Sequence, residues 1–273
     1  MEKIIGQVKL IQTIDSLKTL PHSFALIGEE GAGKHLLVNY INEKFFNLSY
    51  LDITENHDED DLDNIFRYPQ KRLYVLDIGM ITSKEQNKLL KFIEEPFDNI
   101  YICLLCNNTN LLLPTIRNRI IIYKLNPYSL EELSDFSSNN DISIDNKYML
   151  TILRTPGDIK KIKDLNVNLD DVCSLSDKIV HKINVASFPN TLSIIDKINF
   201  KDEYDKIDLT FLLRVLSYKY FEEYVKTKNN IYFSLYEKVV KTKTALNCDS
   251  RLDKKRLVTS MLIALWKENH QCS

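Results

Sequence analysis

The chain has 273 residues, of which 44% are hydrophobic and 27% are charged, and its formal net charge at pH 7 is -2. This composition excludes a largely disordered chain, and it gives no overall positive field that would attract nucleic acid. The N-terminus lacks a secretory leader pattern and no apolar run is long enough to span a bilayer. We therefore expect a cytoplasmic protein that does not contact membranes.

Five apolar, β-rich runs alternate with helical patterns in the first half of the chain. They begin at Phe24, Tyr50, Leu73, Ile100 and Ile120. Apolar strands separated by helices are typical of a parallel sheet that is covered on both faces, so we predict five parallel strands. Between the third and fourth runs, Thr82 and Glu85 form a capping box, which opens a helix that closes at Pro96.

The second half of the chain has a helical pattern. A second capping box, Ser129 to Glu132, opens it, and no convincing strand follows. Short segments predict a small helical lid, and the longer amphipathic stretches after them predict a helical bundle. The predicted fold class is α/β, with a nucleotide-binding-like domain over 1–126, a lid over 127–166 and an all-α domain over 167–273.

The five cysteines do not have the spacing of metal ligands. Cys103 and Cys106 fall in the fourth apolar run, so we expect them to be buried as small hydrophobic residues. We therefore predict no zinc or other metal site on cysteine. The acidic segment 55–63 is expected to be a solvated loop, with a metal site on its carboxylates as the alternative.

The segment "GEEGAGKH", residues 28–35, holds three of the six glycines of the chain directly after the first apolar run. Gly28, Gly31 and Gly33 allow a tight strand-to-helix turn whose backbone N–H groups face a phosphate. Lys34 then supplies the point charge on the terminal phosphates. The segment predicts a site for ATP or ADP.

Two of the positions expected to hold Mg²⁺ or activate water carry other residue types than a site that hydrolyses ATP normally has. His35 stands where a hydroxyl normally ligates Mg²⁺, so we expect weak Mg²⁺ dependence; the alternative is that His35 caps the helix or faces solvent. Asp77 ends the third run, where it could orient Mg²⁺. Ile78 follows it in place of a glutamate base, a loss that costs about 10²- to 10⁴-fold in rate. Glu85 or Glu55 could substitute, although no pattern indicates it.

With these residues in view, the chain resembles the AAA+ clamp-loader subunits of bacterial DNA polymerase III. It is most similar to the delta-prime subunit and next to the gamma/tau motor subunit. The segments that carry the resemblance are "IIGQ", "LPHSFALIGEEGAGK", "TSKEQNKLLKFIEEP" and "LLLPTIRNRIIIYKL". From about residue 167 the match is only in length and helicity, and the zinc module common in the family is absent.

The resemblance implies roles for several residues. Arg119 takes the place of the family's Ser-Arg-Cys arginine, which stabilises charge in the nucleotide site of a neighbouring subunit. The alternative is a surface arginine paired with an acidic residue, and Arg117 is a weaker candidate for the finger. Asn107 matches the polar sensor after the fourth strand, with Asn108 as the alternative.

A second sensor, a basic residue in the lid, cannot be assigned from the pattern. Asp158 stands about where an arginine is expected, and Lys160 or Arg154 could reach the site instead. The altered Mg²⁺ ligand and the missing glutamate predict a subunit that is hydrolysis-deficient. The resemblance implies that it is delta-prime-like and that its partners are other AAA+ subunits, a sliding clamp and, through the complex, primed DNA. The alternatives are a working AAA+ ATPase and a structural adaptor that binds no nucleotide.

Overall fold

The structure, a computed structural model, describes residues 4–47, 50–52, 72–98, 100–142, 152–164, 168–185, 198–199, 207–248 and 253–271. The chain divides into two compact units, Met1–Ile159 and Lys160–Ser273. The boundary between the units falls inside a helix. The predicted division at residues 126 and 166 stays a prediction.

The first unit alternates strands and helices. Its elements are α1 (Val8–Ser16), β1 (Ser23–Ile27), α2 (Lys34–Phe45), β2 (Leu51–Asp52), β3 (Arg72–Asp77), α3 (Ser83–Glu94), β4 (Ile100–Cys106), α4 (Pro114–Arg117), β5 (Ile121–Lys124), α5 (Leu130–Asn139) and the first residues of α6 (Pro156–Asp164), the helix in which the unit ends. The five strands form one parallel sheet in the order β2-β3-β4-β1-β5. The predicted α/β class with a five-stranded parallel sheet is confirmed.

Apolar side chains cover both faces of this sheet because successive strand residues point to opposite sides. On one face, Leu73 and Val75 of β3 pack in a cluster with residues of α1 and α2. On the other face, Leu76 packs in a cluster with residues of α3 and α4. Both cysteines of β4 are buried, as expected.

Both predicted capping boxes are present. The Thr82 hydroxyl accepts a hydrogen bond from the Glu85 amide, and the Glu85 carboxylate accepts one from the Thr82 amide. The same reciprocal pair joins Ser129 and Glu132 at the start of α5. These bonds satisfy N–H groups that a helix leaves without partners at its N-terminus, so they fix where α3 and α5 begin.

Four long helices lie in the described part of the second unit. They are α7 (Leu169–Val185), α8 (Leu209–Thr227), α9 (Asn230–Cys248) and α10 (Lys254–Gln271). Their buried side chains are mostly apolar, and none of the described helices is both long and apolar enough to cross a bilayer.

One expectation for this unit is wrong. The segment β6 (Ile198–Asn199) pairs in parallel with β7 (Ile207–Asp208), so the region after the lid is not entirely helical. Each strand has only two residues. A strand this short shows no alternation of apolar and polar residues from which it could be recognised.

Candidate phosphate-binding site

The candidate site lies at the carboxyl-terminal edge of the sheet. The segment Gly28–Lys34, here called the phosphate loop, follows β1, while Asp77 ends β3 and Asn107 follows β4. Since β4 lies between β1 and β3 in the sheet, Asn107 leaves the sheet between the other two groups. Ligands of open parallel α/β sheets bind at this edge.

Two glycines give the phosphate loop its turn. Gly31 and Gly33 have φ of 75° and 89°, in the left-handed region that residues with a side chain rarely adopt. Gly33 is the N-cap of α2, so the helix begins directly at Lys34. The N–H groups of the first helical turn are therefore at the loop, where they favour an anion.

Every carbonyl of residues 28–33 accepts a hydrogen bond from the protein itself. The donors, in the order of the acceptors, are Lys34 Nζ to Gly28 and to Glu29, Thr155 Oγ1 to Glu30, the Gly157 amide to Gly31, Tyr128 Oη to Ala32, and the Leu37 amide to Gly33. The peptide bonds are trans, so each N–H points away from the preceding carbonyl. The Gly31 and Gly33 N–H groups therefore face away from the Thr155 and Tyr128 donors.

Lys34 is bound inside the loop. Its ammonium donates to the Gly28 carbonyl at 2.8 Å, the Glu29 carbonyl at 3.0 Å and Asn107 Oδ1 at 2.7 Å. The side chain is 8% exposed. Burial lowers the pKa of Lys34, and the Asp77 carboxylate acts against this shift. A phosphate oxygen that binds Lys34 must therefore replace one of these three acceptors.

Asp77 and Ile78 point to opposite faces of the sheet. The Asp77 carboxylate accepts a hydrogen bond from the Gly79 amide at 2.8 Å. Ile78 is 2% exposed and packs in the apolar cluster beneath α3. The position directly after the acidic residue thus belongs to the hydrophobic core. Glu85, one suggested substitute base, is engaged in its capping box, and Glu55 lies outside the described residues, as does the acidic segment 55–63.

His35 is exposed on the first turn of α2. This placement fits the alternative in which the imidazole faces solvent. The residue offers no hydroxyl to a Mg²⁺ ion, and imidazole is a poor match for this hard cation. The loop therefore fits a phosphate better than it fits a Mg²⁺–phosphate complex.

The structure distinguishes the two candidate sensor asparagines. Asn107 accepts a hydrogen bond from Lys34, whereas Asn108 turns toward its own chain and accepts one from the Asn110 amide at 2.9 Å. Asn107 is therefore the asparagine that meets the phosphate loop.

Arg119 lies on the surface after α4. Its Nε is 2.5 Å from the Glu94 carboxylate, and its Nη1 donates to the Thr115 carbonyl at 2.9 Å. Arg119 and Glu94 are 44% and 48% exposed. The arginine is thus paired with an acidic residue of its own chain, as the alternative reading expects, yet both groups remain open to solvent. Arg117 is the last residue of α4 and is less exposed.

The segment 154–158 contacts the phosphate loop at the start of α6. Asp158 is buried and accepts hydrogen bonds from the amides of Arg154 and Thr155, so it caps this helix. Arg154 reaches the loop instead, with its Nη1 3.0 Å from the Glu29 carboxylate. Thr155 and Gly157 also bond to the loop, which no sequence motif indicates.

Two buried glutamines, for which the sequence predicted no role of their own, bond to the backbone of distant segments. The Gln86 amide group, on α3, donates to the Leu111 carbonyl and accepts from the Leu113 amide, each at 3.1 Å. Gln7 bonds in the same two-point way to the backbone of Asn126. Burial among apolar residues in a helix pattern is the one signal that could have marked Gln86.

Comparisons with known proteins show which proteins this chain is similar to. A profile described as "DNA polymerase III, delta subunit" matches residues 63–129, which include Asp77, Asn107 and Arg119 but not the phosphate loop. The "DNA polymerase III subunit gamma" of Buchnera aphidicola subsp. Schizaphis graminum is 28% identical over 171 residues. The chain is similar to the delta- and gamma-type clamp-loader family of DNA polymerase III.

The extent of these matches differs. The alignment with the gamma subunit covers 50% of this chain and 47% of the Buchnera protein, so the chain spans about half the length of that relative. A "Replication factor C small subunit" from Methanococcus vannielii is 22% identical over 217 residues, which are 70% of this chain and 69% of that protein.

Two solved structures from Thermotoga maritima also align with the chain. A protein related to the DNA polymerase III gamma subunit has a TM-score of 0.47 at 15% identity, covering 96% of this chain and 99% of that one. The RuvB Holliday junction branch migration motor has a TM-score of 0.47 at 19% identity, covering 81% and 76%.

Proposed function

We propose that the chain is a delta-prime-like subunit of a DNA polymerase III clamp-loader complex and that it does not hydrolyse ATP. In this role it can bind ATP or ADP with little dependence on Mg²⁺, and it offers Arg119 to the nucleotide site of a neighbouring AAA+ subunit. The complex would load a sliding clamp onto primed DNA. The lid would move with the neighbour's site, and residues 167–273 would form the collar that joins the subunits.

The observation that carries the proposal is the burial of Ile78. An apolar side chain in the core under α3 neither accepts a proton nor orients water, so the chain lacks a general base at this position. The phosphate loop, in contrast, keeps its left-handed glycines and its lysine. Such a chain retains the means to hold a polyphosphate, while the position directly after Asp77 offers no group that would activate water against it.

Arg119 supports the proposed action on a neighbour. A guanidinium stabilises the charge that develops on a transferred phosphoryl group. Because the pair with Glu94 is exposed, releasing Arg119 from it costs only about 0.2 to 1 kcal/mol. That cost is small beside the gain from binding a multiply charged phosphate.

Phosphate release by the purified chain, alone and mixed with AAA+ proteins that copurify with it from the native cell, tests this proposal. We expect no turnover by the isolated chain and turnover with a partner that falls about 10³- to 10⁵-fold in Arg119→Ala. Arg117→Ala, at the end of α4 two residues before Arg119, tests the weaker candidate for the finger and should keep activity. Turnover by the isolated chain that is lost in Lys34→Ala would instead establish the alternative, a working gamma/tau-like motor.

Calorimetry with ATP tests the nucleotide site separately. We expect the binding constant to change little between Mg²⁺ and chelator, because His35 offers no hydroxyl ligand. Tight binding that requires Mg²⁺ would contradict this expectation. Absence of any binding would favour the structural adaptor.

A further inference from the structure

Residues 154–158, here called the latch segment, bind the outer side of the phosphate loop at three successive positions. Arg154 Nη1 lies 3.0 Å from the Glu29 carboxylate, Thr155 Oγ1 donates to the Glu30 carbonyl at 3.1 Å, and the Gly157 amide donates to the Gly31 carbonyl at 3.0 Å. These partners are about 125 residues apart in the chain. No local preference of the loop accounts for such contacts.

The approach between the latch segment and the loop is so close that neither backbone tolerates a side chain. A Cβ atom on Gly157 would lie 2.3 Å from the Gly31 Cα, and a Cβ on Gly31 would lie 2.7 Å from Thr155 Oγ1. Both values are far below van der Waals contact. Two glycines in direct backbone contact therefore define the fit of the two segments.

We propose that the latch segment holds the phosphate loop in its anion-binding shape before any ligand arrives, so that Thr155 and Gly157 are positioning residues for the site. Fixing the Glu30 carbonyl outward turns the Gly31 N–H the other way, since the peptide is trans, while the Ala32 N–H that follows Gly31 donates to the Glu29 carbonyl and closes the turn. An isolated glycine-rich loop would have to reorient its peptide groups when it binds an anion. In this protein that reorientation is complete once the chain has folded. The ligand part of this inference rests on the proposed nucleotide site.

Hydrogen exchange of the loop amides in the ligand-free protein tests the holding role directly. Thr155→Val removes the hydroxyl that donates to Glu30 and accepts from the Asp158 amide. We expect exchange within residues 28–34 to accelerate about 3- to 10-fold, the factor that one typical net hydrogen bond represents. Thr155→Ser keeps the hydroxyl and should restore the wild-type rate.

Thr82→Val is the matched control. Thr82 also caps a helix through its hydroxyl, at the start of α3, and it does not contact the phosphate loop. A general loss of stability from a missing cap would accelerate exchange equally in both valine variants. Equal acceleration in Thr82→Val and Thr155→Val would overturn the proposal.

Gly157→Ala is an independent test. Alanine favours a helix over glycine, so a loss of loop protection in this variant cannot come from a weakened α6. We expect residues 28–34 to exchange faster in Gly157→Ala than they do in Thr155→Val, because the added methyl group separates the two backbones. Unchanged loop exchange in a folded Gly157→Ala protein would refute the proposed fit.

Titration with inorganic tripolyphosphate separates this inference from the proposed function. If the wild-type protein binds tripolyphosphate, Thr155→Val should weaken binding by the same factor that it raises loop exchange. If the wild-type protein does not bind it while the exchange pattern holds, the latch segment is supported and the nucleotide site is not. Binding that is equally tight in Thr155→Val despite faster exchange would exclude a positioning role.

Discussion

Replacing Gln86 should destabilise the first unit and disturb the segment between Asn107 and Arg119. Gln86 is 4% exposed, and its amide group makes two 3.1 Å hydrogen bonds, to the Leu111 carbonyl and the Leu113 amide. Gln86→Met keeps the volume of the side chain but leaves both backbone groups without this partner. A buried group that loses its hydrogen bond costs about 1 to 3 kcal/mol. Leu111 and Leu113 are only partly buried, which places each loss at the lower end, so we expect about 2 kcal/mol in total.

Thermal and urea unfolding followed by far-ultraviolet circular dichroism provide the measurement. A loss of about 2 kcal/mol corresponds to a fall in Tm of about 4 to 8 °C in a unit of this size. Gln12→Met, on the exposed side of α1, is the matched control and should leave Tm within about 1 °C. A Gln86→Met protein as stable as the control would refute the reasoning, since it would show that water or a shifted backbone satisfies both groups.

Three further predictions follow from other groups. Tyr220 is 1% exposed, its hydroxyl has no hydrogen-bond partner among the described residues, and burial raises its pKa. Tyr220→Phe should therefore stabilise the second unit by about 1 kcal/mol, measured by unfolding that is followed through Trp266 fluorescence. Destabilisation would instead reveal a partner of the hydroxyl. Hydrogen bonds from Lys44 and Tyr40 hold the pKa of Asp15 below its usual range. The stability that this shift adds is therefore complete above about pH 4 and is lost as the pH falls further, and Asp15→Asn should flatten the acid limb of a pH-stability curve. Glu94→Gln should change the free energy of unfolding by less than about 1 kcal/mol, because the pair with Arg119 is exposed. It should increase the rate at which phenylglyoxal modifies Arg119, whereas the control Glu95→Gln should leave that rate unchanged. Equal rates in both variants would argue that Glu94 does not shield the guanidinium.

The elements of the first unit were readable from the sequence because their signals are local. Strands buried on both faces are nearly continuous apolar runs, and both capping boxes satisfy N–H groups within three residues of the cap. The phosphate loop was equally visible, since left-handed positions and a close approach require glycine at fixed spacing. The burial of Cys103 and Cys106 followed from the same apolar run.

Only the tertiary structure decided which distant groups meet. The sheet order brings Asn107 rather than Asn108 to Lys34, and α3 brings Gln86 beneath the segment that carries Arg119. Packing also decides which basic residue of the lid meets the phosphate loop. It pairs Arg154 with Glu29 of the loop and buries Asp158 as a helix cap. The short pairing of β6 with β7 had no local signal.

The physical reason is the range over which each preference acts. Backbone conformation, strand alternation and capping depend on residues a few positions apart, so the amino-acid order favours them locally, although packing stabilises them. Contacts such as that between Gly31 and Gly157 join residues more than a hundred positions apart. They exist only after the helices have packed on the sheet, because nothing in either segment alone favours the other.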